Sequence, residues 1–309
     1  KGWEATVNWR DQIGGVKYNL GFSLADYKSK VLQFTDMTNV PFPGNLGRGD
    51  RIENWNGNAK NYYLVGKSLS PVYVFQTDGI FQTQEEVDAY YEMYYWNADH
   101  TAPKAGNIIP APADSGTGRL RPGARKVVDL DGDGVITKDD IYYAGDRDPH
   151  LTFTIKAGLE WKGIDVSAFF QGVGNQVVLR QGQIPYLWRT NYVMQNKTYM
   201  GKTWTPENTG AEYTIASRDQ NFNAWNYQYK DVSLQKNRYI RLKSLVVGYT
   251  LPKQWTAKAG LNKVRLYFSG DDLWEWTKVK DGYDPEFGEE TNNSFPFSRL
   301  LSFGVDVTF

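Results

Sequence analysis

The feature that most constrains the fold is a strict alternation of apolar and polar residues in several segments of the chain. Such a period of two is typical of β-strands, because successive side chains of a strand point to opposite faces. The wholly apolar face contacts either a protein core or lipid, and the polar face contacts water. In the last such segment, residues 299–309, the apolar face consists of Leu301, Phe303, Val305, Val307 and Phe309.

Six more segments show this strand pattern, which makes seven predicted strands. One of them, residues 239–251, slips out of phase near residues 243–245, where a β-bulge is expected. The other five lie at residues 3–10, 16–27, 151–161, 164–170 and 264–268.

The connections between these strands alternate in length. The short ones are residues 11–15, 162–163 and 252–262, and the long ones are residues 36–150, 172–238 and 272–298. Nothing in the fold of a soluble β-sandwich requires every long loop to lie at the same end. Outer-membrane barrels have this arrangement, since short turns face the periplasm and long loops face outside. The predicted fold class is therefore all-β, an antiparallel transmembrane β-barrel with long extracellular loops.

Composition excludes several other classes. The chain has 309 residues, with 40% hydrophobic and 23% charged, which argues against disorder. Thirty-five basic and thirty-five acidic residues cancel, so a nucleic-acid partner is not expected. The absence of Cys excludes disulfides and Cys-ligated metals, and two His residues make a His-rich metal site or a catalytic triad improbable. No apolar run is long enough for a transmembrane helix.

Seven is an odd strand number, whereas single-chain bacterial barrels have even numbers. The strand at residues 3–10 would also expose unpaired backbone groups to lipid, which costs several kcal/mol for each group. We therefore expect this chain to be the C-terminal part of a larger barrel, with the earlier strands preceding it.

The best local motif for a ligand is the acidic loop at residues 129–140 (DLDGDGVITKDD). It matches a twelve-residue calcium loop, in which positions 1, 3, 5, 7 and 12 supply hard oxygen ligands and a glycine makes the turn at position 6. Asp140 stands where Glu is usual, so its reach is shorter. The alternative is an Asp-rich turn that needs no ion. The predicted Ca²⁺ ligands are the carboxylates of Asp129, Asp131, Asp133 and Asp140 and the carbonyl of Val135.

A second acidic cluster lies in the predicted helix at residues 83–96, where Thr83 and Glu86 have the spacing of a capping box. Glu85, Glu86 and Asp88 could suggest paired acids for glycoside cleavage. Acids are also favoured in the first turn of a helix by the helix dipole. We prefer the capping interpretation, and the chain is predicted not to be an enzyme.

Aromatic side chains are dense in the long connection at residues 172–238. Trp and Tyr combine an apolar ring with a polar tip, so they could stack on sugars, hold a peptide or contact a lid protein. The alternative is that they pack the connection against itself. Trp3, Trp9, Trp161 and Phe309 instead lie near strand ends, as in an interfacial girdle. The candidate ligand or lid contacts are Trp188, Tyr192, Trp204 and Trp225.

Three sequence blocks resemble a known family. They are residues 129–140 followed by GDRDP at 145–149, the block NRYIRLKSLVVGYTLP at 237–252, and RLYFSG at 265–270 with DPE at 284–286, Pro296 and Phe309. Together they resemble the C-terminal half of SusC/RagA-type TonB-dependent transporters of the Bacteroidota outer membrane. The resemblance covers most of the chain, and the blocks occur in the expected order.

This resemblance implies a barrel of about 22 strands with a plugged lumen. The plug and the segment that contacts TonB would lie upstream of this chain. It also implies a SusD-like surface lipoprotein as a lid, and import of oligosaccharides or peptides. The second hypothesis is a soluble or surface-attached, aromatic-rich β protein that binds glycans. A glycoside hydrolase is the third, and it lacks a convincing acid pair.

Overall fold

A computed structural model describes residues 1–30, 32, 68–112, 118–180, 197–279, 284–286 and 298–309. Within them the strands are β1 (Gly2–Ile13), β2 (Val16–Tyr27), β3 (Pro71–Phe75), β4 (Thr77–Ile80), β5 (Arg125–Val127), β6 (Ile141–Asp146), β7 (His150–Trp161), β8 (Ile164–Asn175), β9 (Val177–Leu179), β10 (Leu234–Lys236), β11 (Tyr239–Thr250), β12 (Lys263–Thr277) and β13 (Leu300–Thr308). The α-helices are α1 (Gln84–Tyr94), α2 (Gln220–Tyr227) and α3 (Lys253–Thr256), and short 3-10 helices lie at Lys197–Tyr199, Asp231–Ser233 and Ala257–Ala259.

The seven long strands form one antiparallel sheet in the order β1-β2-β7-β8-β11-β12-β13. Each long strand therefore pairs with the long strand that precedes or follows it along the chain. The sheet is open, with β1 and β13 at its edges. This up-and-down order confirms the seven predicted strands and the antiparallel β class.

The strand register brings the apolar residues of all seven strands onto one face. Phe22 lies opposite Ile155, and Ile155 lies opposite Phe170. This face is uncovered within the described part of the chain, since Val7 is 64% exposed and Phe303 is 83% exposed. A sandwich would bury such side chains against a second sheet. The exposure therefore argues against the soluble sandwich.

The structure corrects several strand bounds. β1 continues to Ile13, so the first turn is only Gly14-Gly15, both with positive φ. β8 extends to Asn175. β12 continues to Thr277, although the sequence pattern placed a loop from residue 272 onward. The last error arises at the irregularity in the register of β11 and β12, because the adjacent acids Asp271 and Asp272 interrupt the apolar alternation of β12 there.

The first long connection contains separate small sheets. The dipeptide Asp78-Gly79 has the composition of a hairpin turn between the segments on either side of it. Instead, β3 pairs with β6, and β4 pairs with β5. Gly79 lies within β4 with φ +73°, at an irregularity of the β4–β5 pairing. The two segments therefore do not form a hairpin with each other.

The predicted helix is present as α1, with a modified cap. Thr83 is its N-cap and accepts a hydrogen bond from the backbone N–H of Glu86. The Glu86 carboxylate accepts from the N–H of Gln82 at 3.0 Å and pairs with Lys126 at 2.8 Å. Glu86 therefore stabilises the helix start and ties it to β5, which agrees with a structural role for these acids. No helix in the described ranges is long and apolar enough to cross a membrane.

The hydrophobic core lies beyond the sheet, in the first two long connections. Their described parts (68–112, 118–149, 176–180 and 197–238) pack into one body, which we call the loop lobe. Its core combines both connections: Phe75, Phe81, Val87, Leu120 and Ile136 come from the first, and Leu179, Phe222, Trp225 and Tyr229 come from the second. The Thr77 hydroxyl also donates to Asp231 across the two connections at 2.7 Å.

Candidate functional site

The acidic loop brings three of its predicted ligands together. Carboxylate oxygens of Asp129, Asp131 and Asp133 all lie within 4.8 Å of one another. Oxygens bound to one Ca²⁺ each lie about 2.3–2.6 Å from the ion, so this spacing is compatible with a shared cation. Asp131 and Asp133 are exposed, which leaves the cluster open to solvent.

The same carboxylates organise the loop backbone. Asp129 accepts from the N–H groups of Gly132 at 2.8 Å and Gly134 at 2.9 Å, and Asp133 accepts from that of Val135 at 2.8 Å. Gly132 and Gly134 have φ of +76° and +79°, a region that favours glycine. The loop is thus shaped by its own hydrogen bonds, a feature that also fits the alternative of an ion-free turn.

Asp140 lies apart from this group of three. It is fully buried, and its carboxylate accepts from the backbone N–H groups of Leu130 and Thr137, each at 2.7 Å. Burial raises the pKa of Asp140, while these hydrogen bonds act in the opposite direction. Asp140 therefore closes the loop by binding both of its ends. The side-chain ligands of a bound cation would therefore be the other three aspartates.

Two of the four aromatic candidates lie in the core of the loop lobe. Trp204 is 4% exposed, and its indole N–H donates to the side chain of Gln82 at 2.8 Å. Trp225 is 6% exposed and donates to the carbonyl of Arg125 at 3.0 Å. This burial supports the packing alternative for both. Trp188 and Tyr192 lie outside the described residues.

An ion network that the sequence did not indicate lies on the polar face of β11 and β12. Arg241, whose side chain is 2% exposed, pairs with Glu275, with Asp284 at 2.7 Å and with Glu286 at 3.3 Å. Lys243 extends the network to Asp272 at 2.8 Å and to Glu286 at 3.0 Å. Four carboxylates thus surround two cations.

The strand bulge and a side-chain amide complete this arrangement. Lys243 lies where the β11–β12 register shifts, and Asp272 has a positive φ of +53°. The Asn237 amide donates to the carbonyl of Pro285 at 2.7 Å. The residues 284–286 are therefore fastened to the polar face of the sheet, at the end where the long connections emerge.

A second ion network lies on the same face near the short turns. Arg265 on β12 pairs with Asp165 on β8 at 2.6 Å and with Asp306 on β13 at 3.2 Å. Gly248 on β11 lies between β8 and β12, where this ion pair crosses. A larger residue would clash there, because its Cβ would lie 2.6 Å from a carboxylate oxygen of Asp165. With both networks, charged side chains therefore lie on one face of the four neighbouring strands β8, β11, β12 and β13. The opposite face is apolar and exposed. These are the two surfaces of a barrel wall.

Comparisons with known proteins agree with this geometry. No protein-family model matches the chain. TonB-dependent receptor P3 of Formosa agariphila is 27% identical over 328 residues, and the match covers 100% of this chain and 28% of the receptor. TonB-dependent receptor P26 of the same organism is 24% identical over 323 residues, covering 100% of the chain and 29% of the receptor. The chain thus spans less than a third of these relatives.

Solved structures establish the fold. The RagAB peptide transporter matches with a TM-score of 0.65 and 14% identity, over 99% of this chain and 28% of the transporter chain. The RagAB peptide importer in its 'closed-closed' state matches with a TM-score of 0.64 and 16% identity, over 100% of this chain and 29% of that chain. The chain matches the C-terminal part of a SusC/RagA-type TonB-dependent transporter.

This similarity agrees with the family resemblance of the sequence blocks and with the open sheet. A fragment of a SusC/RagA-type barrel has two unpaired edge strands until the remaining strands are added. The matched proteins are named as receptors, importers and transporters, which agrees with the prediction that this chain is not an enzyme.

Proposed function

We propose that the transporter containing this segment imports nutrients across the bacterial outer membrane in a TonB-dependent manner. The observation that carries this proposal is the wall geometry: seven antiparallel strands have an exposed apolar face on one side and charged networks on the other. Lipid solvates the first face, and the second lines a polar lumen.

The lengths of the connections predict how the sheet is oriented in the outer membrane. The turns at Gly14-Gly15 and Lys162-Gly163, together with the connection at 251–262, face the periplasm. The loop lobe and the residues 284–286 then lie at the extracellular end. A ligand from outside would reach this end first.

We further propose a SusD-like surface lipoprotein as the lid over this extracellular end, and TonB as the partner of the upstream part of the transporter. The cargo is an oligosaccharide or a peptide. Support for the peptide comes from the matched RagAB structures, which are a peptide importer. Support for the oligosaccharide and the lid comes from the family resemblance of the three sequence blocks.

Uptake measurements test this function. A strain that lacks the gene for the whole transporter should lose uptake of labelled peptides or of labelled oligosaccharides, and a strain that lacks TonB should lose the same uptake. Re-expression of the full-length transporter should restore it in the first strain only. Uptake that persists without TonB would contradict the proposal.

We also propose that the acidic loop binds Ca²⁺ through Asp129, Asp131 and Asp133, with the Val135 carbonyl as a further ligand and Asp140 closing the loop. Three carboxylates within reach of one ion support this, because the ion relieves their mutual repulsion. The affinity is expected to be modest, about 10⁻⁴–10⁻³ M, as in extracellular calcium modules.

Replacing Asp131 and Asp133 together by Ala should abolish calcium-dependent protection of this loop from protease. The measurement is the rate of cleavage within 129–140 of the full-length transporter, with calcium and with a chelator. A matched control is Asp78→Ala with Asp99→Ala, which removes two exposed carboxylates elsewhere in the loop lobe. If the parent protein is cleaved equally fast with and without calcium, the site does not exist.

A further inference from the structure

A groove of about 720 Å³ crosses the apolar face of the sheet near the short turns. It lies on β8, β11, β12 and β13, whose residues share a face through the strand register. Its lining is formed by Ile164, Val247, Tyr249, Leu266, Phe268 and Val305.

The groove is built by aliphatic and aromatic side chains in adjacent rows. Ile164, Tyr249 and Leu266 follow one another across the sheet. In the next row, the ring of Phe268 packs against that of Phe303 at a centroid distance of 5.3 Å. Rings thus form walls beside branched aliphatic chains. Such a surface fits a flexible hydrocarbon chain, which gains dispersion contacts along its length.

The end of the sheet next to the groove is basic. The connection 251–262 carries Lys253 and Lys258, both exposed, and contains no acidic residue. Lys162 lies in the adjacent turn, where the carbonyl of Gly163 accepts a hydrogen bond from the N–H of Thr250 at 2.7 Å. Three lysines therefore lie on neighbouring connections at this end.

Aromatic residues accompany these lysines. Trp255 is 62% exposed, and the Lys162 ammonium lies 5.0 Å from the ring centre of Trp161. Amphipathic rings of this kind lie at the level of lipid headgroups. The nearby acids Asp165 and Asp306 are on the opposite, polar face, where both pair with Arg265. We call Lys162, Lys253 and Lys258 the basic rim; the two nearby acids pair with Arg265 and not with these lysines.

We propose that the groove and the basic rim together bind one anionic glycerophospholipid of the leaflet that surrounds the short turns. The acyl chain fills the groove, and the phosphate lies among Lys162, Lys253 and Lys258. This inference rests on the proposed function, because it needs the apolar face to be in the membrane with the short turns at the periplasmic side.

Native mass spectrometry of the full-length transporter tests the inference. Purified protein is mixed with phosphatidylglycerol or with phosphatidylcholine of identical acyl chains, and the retained lipid is counted. The parent protein should retain more phosphatidylglycerol. Lys253→Gln with Lys258→Gln should reduce this preference by about fivefold for each lysine removed.

Two further variants separate charge from shape. Lys28→Gln with Lys30→Gln removes two exposed lysines at the opposite end of β2 and should leave the preference unchanged. Val305→Trp fills the groove and should reduce retention of both lipids. Equal retention of the two lipids by the parent protein would overturn the inference, as would an unchanged preference in the Lys253 and Lys258 variant or unchanged retention in Val305→Trp.

Membrane fractionation of the same parent protein distinguishes this inference from the proposed function. A protein that is absent from the outer-membrane fraction contradicts the proposed function. A protein that inserts there and shows no lipid preference contradicts only the lipid site.

Discussion

Replacing Arg241 by Ala should lower the free energy of unfolding by about 3 kcal/mol and release the residues 284–286 from the sheet. Removing one partner of a buried ion pair typically costs ~3–5 kcal/mol, because the other charges remain without compensation. Arg241 is 2% exposed and contacts Glu275, Asp284 and Glu286. Its loss leaves Lys243 as the one cation that the structure describes in this network.

Two measurements check this expectation in the full-length transporter. Urea unfolding in detergent gives the change in stability, and hydrogen exchange of the peptide that contains 284–286 reports its release. Arg238→Ala is a matched control, because Arg238 lies three positions earlier and is exposed. Unchanged exchange in Arg241→Ala would show that the network does not hold this segment.

Replacing Val305 by Arg should destabilise the inserted barrel by about 2–4 kcal/mol, the cost of a basic side chain on the lipid face near the bilayer midplane. Val305 lies near the middle of β13 and is 60% exposed on the apolar face. Asp306→Arg adds the same side chain one residue later, on the polar face. Its effect should be mild, since water solvates that face and Arg265 keeps its partner Asp165.

Urea unfolding of both variants of the full-length transporter in lipid vesicles measures the difference. The comparison is internal, since both variants place Arg in the same strand and differ in the face that it occupies. Equal stability of Val305→Arg and Asp306→Arg would mean that the apolar face is not in lipid. The soluble, glycan-binding alternative would then be preferred.

The sequence predicted the sheet well because periodicity is local information. In β13 the alternation of Leu301, Phe303 and Val305 with polar neighbours was sufficient to identify the strand, its apolar face and its place in a meander. The bulge in β11 was also visible, since a single extra residue shifts the phase. In β12 the adjacent acids Asp271 and Asp272 interrupt the alternation, which concealed the last part of the strand, from Asp272 to Thr277.

The sites depended on contacts between distant residues, which periodicity does not report. The spacing of Asp129, Asp131 and Asp133 indicated a shared cluster because these three residues are close along the chain. Arg241 and Asp284 are 43 positions apart, and their pairing follows from the sheet register and the path of the last long connection. A charged residue on the polar face is expected to be solvated, so the burial of Arg241 gave no signal in the sequence.

The shared core of the loop lobe has a consequence for engineering this protein. Phe75 and Phe81 from one connection pack in the same cluster as Leu179 and Phe222 from the other, on either side of the hairpin formed by β7 and β8. Substitutions in residues that share a core are not energetically independent. A graft of loops from a relative must therefore exchange both connections as a matched pair, because replacing one alone leaves half of a hydrophobic interior without its counterpart.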